Sequence, residues 1–383
     1  MTKLEELIQK LCPNGVEHKP LNEVSEMKRG TSITKKDIVE GEIPVVSGGR
    51  EPAYYCDKYN RDGETITVAG SGAGAGYVQY WTKPIFVCDA FSIQGNPGIQ
   101  TKYIYYFLTN IQDYIYSTKK GGGVPHVHIS SIENVSVPVP PLPVQREIVR
   151  ILDNFTELTA ELTAELTARK QQYAYYRDKL LSTNNSSVPV VELRDIVKKS
   201  CSGATPAKGN AEYYENGTIP WIRTQDVRFN EITEVNSYIT EKAVSETATK
   251  WIPENCVIVA ISGATAGRCA INKIKATTNQ HCLNLIIDDS MALYRYVFHC
   301  LCSKYEELIS RKQGARGDLN SSLILSLPIP IPSLEVQKRL VEVLDNFDAI
   351  CSDLKIGLPA EIEARQKQYE YYRDKLLTFT PAD

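Results

Sequence analysis

His126-Val127-His128 is the first place in this 383-residue chain where reactive side chains sit at a useful spacing, since strand alternation puts both imidazoles on one side. Two imidazoles without a third donor do not close a metal site, and a polar pair in the loop after Gly121-Gly122-Gly123 accounts for them. Cys300-x-Cys302 is the closest cysteine pair and lacks the Cys-x-x-Cys spacing of zinc ligands. Val68-Ala69-Gly70-Ser71-Gly72-Ala73-Gly74 follows a β-like run, where a turn for a nucleotide or S-adenosylmethionine would sit. It departs from G-x-G-x-x-G and has no acid on a following strand, so it reads better as close-packed backbone or a loop approaching DNA. Walker A is missing, as is any Asn/Asp-Pro-Pro-aromatic element that would hold a flipped adenine; Asn96-Pro97-Gly98 is only a turn. Asp89, Asp226 and Asp318 are isolated acids near turns, and no Ser-His-Asp or paired-acid arrangement accompanies them. The expectation is a non-catalytic chain with no metal and no cofactor.

Recognition chemistry is spread more widely. Lys28-Arg29-Gly30-Thr31-Ser32-Ile33-Thr34-Lys35-Lys36 and Lys198-Lys199-Ser200-Cys201-Ser202-Gly203-Ala204-Thr205-Pro206-Ala207-Lys208 occupy matching places in two halves of the chain. Both combine cations, hydroxyls and flexible backbone, the donors used on phosphates. Arg50, Arg223, Gln225, Asp226, Gln280 and Arg316 add side chains able to address base edges. The net charge of −3 shows that bulk charge does not hold such a chain on nucleic acid. No run of eighteen apolar residues occurs, which excludes a helical membrane span. The start Thr2–Ile8 reads as an amphipathic helix rather than a secretory leader, so the 10 cysteines are expected to be reduced, mostly buried thiols of a cytoplasmic protein.

The elements that position these residues are duplicated. Val137-Pro138-Val139-Pro140-Pro141-Leu142-Pro143-Val144-Gln145, running into Ile151-Leu152-Asp153-Asn154-Phe155, returns as Ile329-Pro330-Ile331-Pro332-Ser333-Leu334-Glu335-Val336-Gln337, running into Val343-Leu344-Asp345-Asn346-Phe347. Tyr173-Ala174-Tyr175-Tyr176-Arg177-Asp178-Lys179-Leu180-Leu181 returns as Tyr369-Glu370-Tyr371-Tyr372-Arg373-Asp374-Lys375-Leu376-Leu377. A 4-3 walk from Ile148 through Leu152, Phe155, Thr159, Leu162, Leu166, Arg169, Tyr173 and Tyr176 to Leu180 predicts a coiled-coil seam. A helix of about 40 residues there would reach about 60 Å. The second copy repeats the walk through Leu344, Phe347, Leu354, Tyr369, Tyr372 and Leu376 with a four-residue stutter, and Gly357 and Pro359 predict a kink or break at that point. Between the helical parts lie short β-rich runs such as Thr65-Ile66-Thr67-Val68 and Cys256-Val257-Ile258-Val259-Ala260-Ile261, separated by Gly, Asn and Pro turns. The fold class is therefore α+β. Two globular α/β domains are expected, separated by two long antiparallel α-helices forming a coiled coil with a pseudo-two-fold internal repeat. The boundaries are 1–136, first domain with its N-terminal helix; 137–187, first spacer helix; 188–328, second domain; and 329–383, second spacer helix.

Taken together, the proline-rich lead-in ending in Gln, the long helix, the terminal Tyr-Tyr-Arg-Asp-Lys-Leu-Leu and the duplication resemble the specificity subunit of type I restriction-modification systems. Ile219-Pro220-Trp221-Ile222-Arg223-Thr224-Gln225-Asp226-Val227 looks like that family's target-recognition signature, with Ile43-Pro44-Val45-Val46-Ser47-Gly48-Gly49-Arg50 a variant of it that adds Ser47 to the DNA-binding candidates. The opening helix followed by Cys12-Pro13-Asn14-Gly15 is also similar. The resemblance implies a non-enzymatic subunit that reads split, asymmetric double-stranded DNA, one half-site per target recognition domain. Its implied partners are two methyltransferase subunits, which bring S-adenosylmethionine and adenine N6 chemistry, and restriction subunits; their phosphate contacts would offset the acidic charge. Leu152, Phe155, Tyr173, Tyr176, Leu344, Phe347, Tyr369 and Tyr372 then form the helix seam and partner-binding surface. The interruption Gly357-x-Pro359 departs from an unbroken second helix. Two rivals belong to other classes: a fused DNA methyltransferase, which would need the missing Asn-Pro-Pro-Tyr-like motif, and a coiled-coil adaptor indifferent to DNA.

Overall fold

Every residue of Thr65–Ala69 and of Val257–Ala260 is buried, the pattern of a strand covered on both faces rather than an alternating one. In the computed structural model, which describes residues 2–33, 39–182, 187–311, 318–353 and 355–382, both strands lie inside antiparallel sheets. The chain forms two compact units, residues 1–163 with 361–383, and residues 164–360.

In the first unit the sheet order is Ser25–Arg29, Ala90–Gly95, Thr65–Ala69, Val78–Trp81, all antiparallel. A smaller sheet places Ile43–Val46 between Tyr54–Cys56 and Phe86–Val87, the latter in parallel. The second unit repeats this plan. Val197–Ser202, Cys282–Ile287, Val257–Ala260 and Cys269–Asn272 follow in the same order and sense, and Asn230–Ile232 adds a parallel edge strand. Its smaller sheet places Ile219–Ile222 beside Tyr238–Ile239 and, in parallel, beside Ala276–Thr278, with Trp251–Ile252 extending it. The duplication read from the helices therefore extends to globular parts whose sequences have diverged.

Each unit packs a helix on its larger sheet, Thr101–Asn110 in the first and Tyr294–Ser303 in the second. The repeated prolines and glutamine explain how those helices are held. Tyr103 donates its hydroxyl to the Pro138 carbonyl at 3.0 Å, and Tyr296 does the same to Pro330 at 2.8 Å. The buried Gln145 accepts from Gln100 N at 2.9 Å and donates to the Pro140 carbonyl at 2.8 Å. Gln337 accepts from Leu293 N at 2.9 Å and donates to the carbonyls of Pro332 and Met291 at 2.9 and 3.1 Å. Gln100 and Leu293 are the N-cap residues of the two helices, so each glutamine binds the start of a helix to the proline lead-in.

The first long helix, Leu142–Leu180, runs 39 residues. Its beginning belongs to the first unit, where Ile148 and Leu152 are buried, and its end to the second. Within the first unit Phe155 stacks on Tyr372, with ring centroids 5.5 Å apart. Within the second, Tyr176 stacks on Phe347 at 6.3 Å, the same pair with the two repeats exchanging roles. Phe347 faces Tyr176 while Cys351 lies in the field of Arg169 and Lys170, so these two helical segments run antiparallel.

The seam differs from its expected course at the rim. Tyr176, Leu180 and Tyr372 are about two-fifths exposed (41%, 42% and 38%), whereas Leu181 and Leu377 are buried. Leu181 stands just past the end of its helix and turns into the core of the second unit, which carries the apolar contact one position beyond the periodic walk. The second helical part is broken as the Gly-x-Pro element predicts, into Leu334–Ser352 and Leu358–Leu377. A Cβ on Gly357 would lie 2.6 Å from the Ala349 carbonyl oxygen, and Pro359 follows at the first turn of the new helix. Leu354 lies outside the described residues. Among the described residues no helix is long and apolar enough to cross a membrane, and all ten cysteines carry free thiols.

Candidate nucleic-acid interface

In the first unit Lys28 and Arg29 are exposed on the edge strand Ser25–Arg29. Lys28 shares its charge with Glu26 at 2.7 Å. Arg29 opens on a cleft of about 180 Å3 with Asp89, His126 and His128. The next residue, Gly30, passes so close to the Cys88 carbonyl that a Cβ would come within 2.0 Å of it, so this edge tolerates only glycine. Ser47 sits half-buried at the end of Ile43–Val46. Arg50 lies over the Tyr77 ring at 4.9 Å, and its carbonyl accepts from Gln79 Nε2 at 2.5 Å. Asp89 accepts a hydrogen bond from Ser71. The glycine loop is filled by neighbouring backbone: a Cβ on Gly74 would lie 2.4 Å from the Gly48 carbonyl oxygen. His126 and His128 stack at 6.0 Å, and the His126 backbone pairs both ways with Lys120.

In the second unit Lys198 and Lys199 project from the matching edge strand Val197–Ser202, at an irregularity in its register. Gly203 repeats the role of Gly30, its Cβ position 1.8 Å from the Thr278 carbonyl oxygen. Lys208, Arg223 and Gln280 come together around a cleft of about 600 Å3, with Thr205, Trp221 and His281. Gln280 accepts from Thr205 and meets His281 Nε2 at 3.2 Å. Gln225 is exposed on the turn Thr224–Asp226. Asp226 caps this turn, its Oδ2 accepting from Arg223 N at 2.8 Å. Lys35, Lys36 and Arg316 lie outside the described residues. Asp318 is described and holds a buried Oδ1 with no hydrogen-bond partner.

Several participants were not nominated from sequence. Tyr77 beneath Arg50 and Trp221 beside Arg223 (5.8 Å) present an aromatic face to a cation, and the Trp-x-Arg spacing is the signal that could have found the second. A joint at the base of each recognition fold was also missed. Arg295 grips Asp345 with two bonds of 2.7 Å and reaches Glu231, while the buried His299 places Nε2 2.8 Å from Asp345 and Nδ1 3.3 Å from the Tyr173 hydroxyl. The two ring nitrogens of His299 thus bridge Asp345 and Tyr173. In the first unit Asp153 is held by Lys102 at 2.8 Å and by the Tyr106 hydroxyl at 2.5 Å.

The chain resembles known proteins over nearly all of its length. The family model described as "Type I restriction modification DNA specificity domain" matches twice, at residues 13–169 and 185–364. The type I restriction enzyme EcoR124I/EcoR124II specificity subunit of Escherichia coli is 39% identical over 291 residues, covering 73% of this chain and 70% of that one. A putative type I restriction enzyme specificity subunit of Haemophilus influenzae is 28% identical over 401 residues, covering 99% of each. Among solved structures, the S subunit of a type I restriction-modification system from M. genitalium matches with a TM-score of 0.61 at 17% identity, over 94% of this chain and 96% of that one. A chain from a structure concerned with complex assembly and conformational transition of the type I system matches with a TM-score of 0.65 at 16% identity, over 95% and 98%. At such identities the structural likeness is one of fold.

Proposed function

This chain belongs to the type I restriction-modification DNA specificity family, and from that membership we propose that it reads a bipartite asymmetric site in double-stranded DNA, one half per recognition domain. Its role in the system is DNA sequence specificity. On this reading residues 1–136 and 188–328 recognise DNA, while 137–187 and 329–383 are helical regions that also receive partners. Two adenine methyltransferase subunits supply S-adenosylmethionine chemistry, restriction subunits supply cleavage, and this chain catalyses nothing itself. The exposed pairs Tyr175/Tyr176 and Tyr371/Tyr372, each with rings 5.3 Å apart at 75°, offer the two methyltransferase copies one repeated surface. One observation carries the proposal: the same sheet plan is built twice, each time with two exposed cations on an edge strand ahead of a glycine pressed against a carbonyl.

The test is to co-express the chain with its methyltransferase partner, map N6-methyladenine across the host genome, and repeat with residues 188–328 replaced by the equivalent domain of a relative. A two-part motif that changes in one half only is the expected result. A swap that alters both halves, or neither, overturns one-domain-one-half reading.

A further inference from the structure

Most arginines flanking the second recognition fold are paired with carboxylates, Arg295 with Asp345 at 2.7 Å and Arg194 with Glu192 at 2.6 Å. Arg223 makes no ion pair among the described residues, and its Nε is buried without a hydrogen-bond partner. A buried guanidinium N–H left unmade is costly, and a bound water, ion or ligand can complete it. The side chain is nevertheless held in place. The Arg223 backbone is pinned by Asp226, which accepts from Arg223 N at 2.8 Å and donates its own N–H to the Arg223 carbonyl at 2.9 Å. Its guanidinium lies 5.8 Å from the ring of Trp221, and that indole is fixed by its own bond to the Ala204 carbonyl at 3.2 Å.

The shape of the surroundings decides which part of DNA such a cation meets. Side chains that read base edges must protrude into a groove, whereas a sugar-phosphate strand is a convex ridge that fits a recess. Arg223 is half-buried at the wall of a cleft of about 600 Å3 whose rim carries the exposed Lys208. Gln280 and His281, tied to each other at 3.2 Å, bring further N–H donors to the same cleft. Guanidinium, ammonium and amide donors with no carboxylate among the cleft's lining residues form an anion site. We infer that this cleft seats one backbone phosphodiester of the second half-site, with Arg223 as the positioning residue that fixes the register of the second recognition domain on the duplex. The inference rests on the DNA-reading function proposed above and reassigns Arg223 from base edges to the backbone.

The experiment uses the complex of the full chain with its methyltransferase subunits, and duplexes carrying the methylated motif found for the wild type. Affinity is measured from about 50 to 200 mM salt for wild type, Arg223→Gln, Arg223→Ala and Arg223→Lys. Losing one phosphate contact lowers the slope of log K against log salt by about 0.9, so the Gln and Ala variants should bind specific and non-specific duplex more weakly by similar factors with a shallower slope. The Lys variant keeps the charge and should keep the slope. Neutral methylphosphonate linkages placed one at a time in the second half-site should weaken wild type at one position, and that penalty should vanish in Arg223→Gln. Inorganic phosphate at millimolar concentration should not compete; if it does so as well as DNA, the cleft is a site for free anions and the assignment is overturned. A changed base in the methylated motif of Arg223→Lys would make the residue a base reader, and an unchanged slope in both neutral variants would make it structural. Either result sinks the phosphate site while leaving DNA reading intact. A wild-type complex with no sequence preference would instead remove the proposed function itself.

Discussion

Gln337 is fully buried and its amide joins three backbone groups, so truncation leaves the Leu293 N–H and the carbonyls of Met291 and Pro332 unsatisfied. Gln337→Ala should cost the second unit about 2–4 kcal/mol, seen as hydrogen exchange of Tyr294–Ser303 opening at lower urea while the first unit is unchanged. Gln145→Ala should do the reverse. The glutamine was visible in the sequence as the end of a repeated motif, but its partner was not: Gln100 precedes it by 45 residues and carries no local signal. Glu147 makes the residue-scale case for pH. Hydrogen bonds from Arg150 and Lys3 outweigh burial and hold its carboxyl at about 2. A carboxylate whose folded value lies below its unfolded one stabilises fully above the unfolded value, near 4.3, and loses that contribution as pH falls toward 2. The docking of helix Lys3–Leu11 should therefore weaken across that interval, and Glu147→Gln should abolish the dependence at a cost of about 1–2 kcal/mol at neutral pH, since Lys3 and Arg150 are largely exposed.

The long helices carry equivalent aspartates, each clamped through different chemistry by the helix that packs on the larger sheet of its unit. Lys102 and Tyr106 hold Asp153; Arg295 and His299 hold Asp345. Burial alone would raise the Asp345 carboxyl, but the bonds from His299 and Arg295 prevail and keep it below its ordinary value. Asp345→Asn should loosen Tyr294–Ser303 by about 1–3 kcal/mol, measured by hydrogen exchange, with a smaller effect for Asp153→Asn, where no guanidinium pair is lost. The helices themselves were legible because a 4-3 apolar walk bounded by prolines has one reading, and the break was legible because glycine and proline stood two residues apart. What periodicity could not supply was the change of contact at the helix ends, where Leu181 and Leu377 are buried by globular cores whose positions depend on residues far away in sequence.

At the scale of the molecule, a duplication most legible in the helices is followed by the main sheets of both units, with Asn230–Ile232 and Trp251–Ile252 added in the second, and strand order could not be read because short β runs broken by turns fit many pairings. Candidate cations on the edge strands were found by their matching positions; the cleft around Arg223 was not, because its walls come from segments separated by dozens of residues. The two units also differ in how they are made from the chain. The second is continuous over 164–360, whereas the first is assembled from 1–163 and 361–383. Val16 N–H donates to the Thr380 carbonyl at 2.9 Å, Ala382 N–H donates to the Val16 carbonyl at 3.0 Å, and Gly15 lies so close to Pro381 that a Cβ would be 2.7 Å from its carbonyl oxygen. Truncation after Leu377 should thus destabilise the first unit alone, seen as faster exchange in Lys3–Leu11 with no change in Val257–Ala260. During synthesis this arrangement becomes an order of events. The second unit has all of its chain once Ala360 is made, but the first, although its strands emerge earlier, must wait for the final segment. At about 5–20 residues per second the roughly 220 residues that follow Thr163 take about 10–45 s, during which the part of the first unit's core that Leu377 and Phe379 join stays open to other chains on the same message.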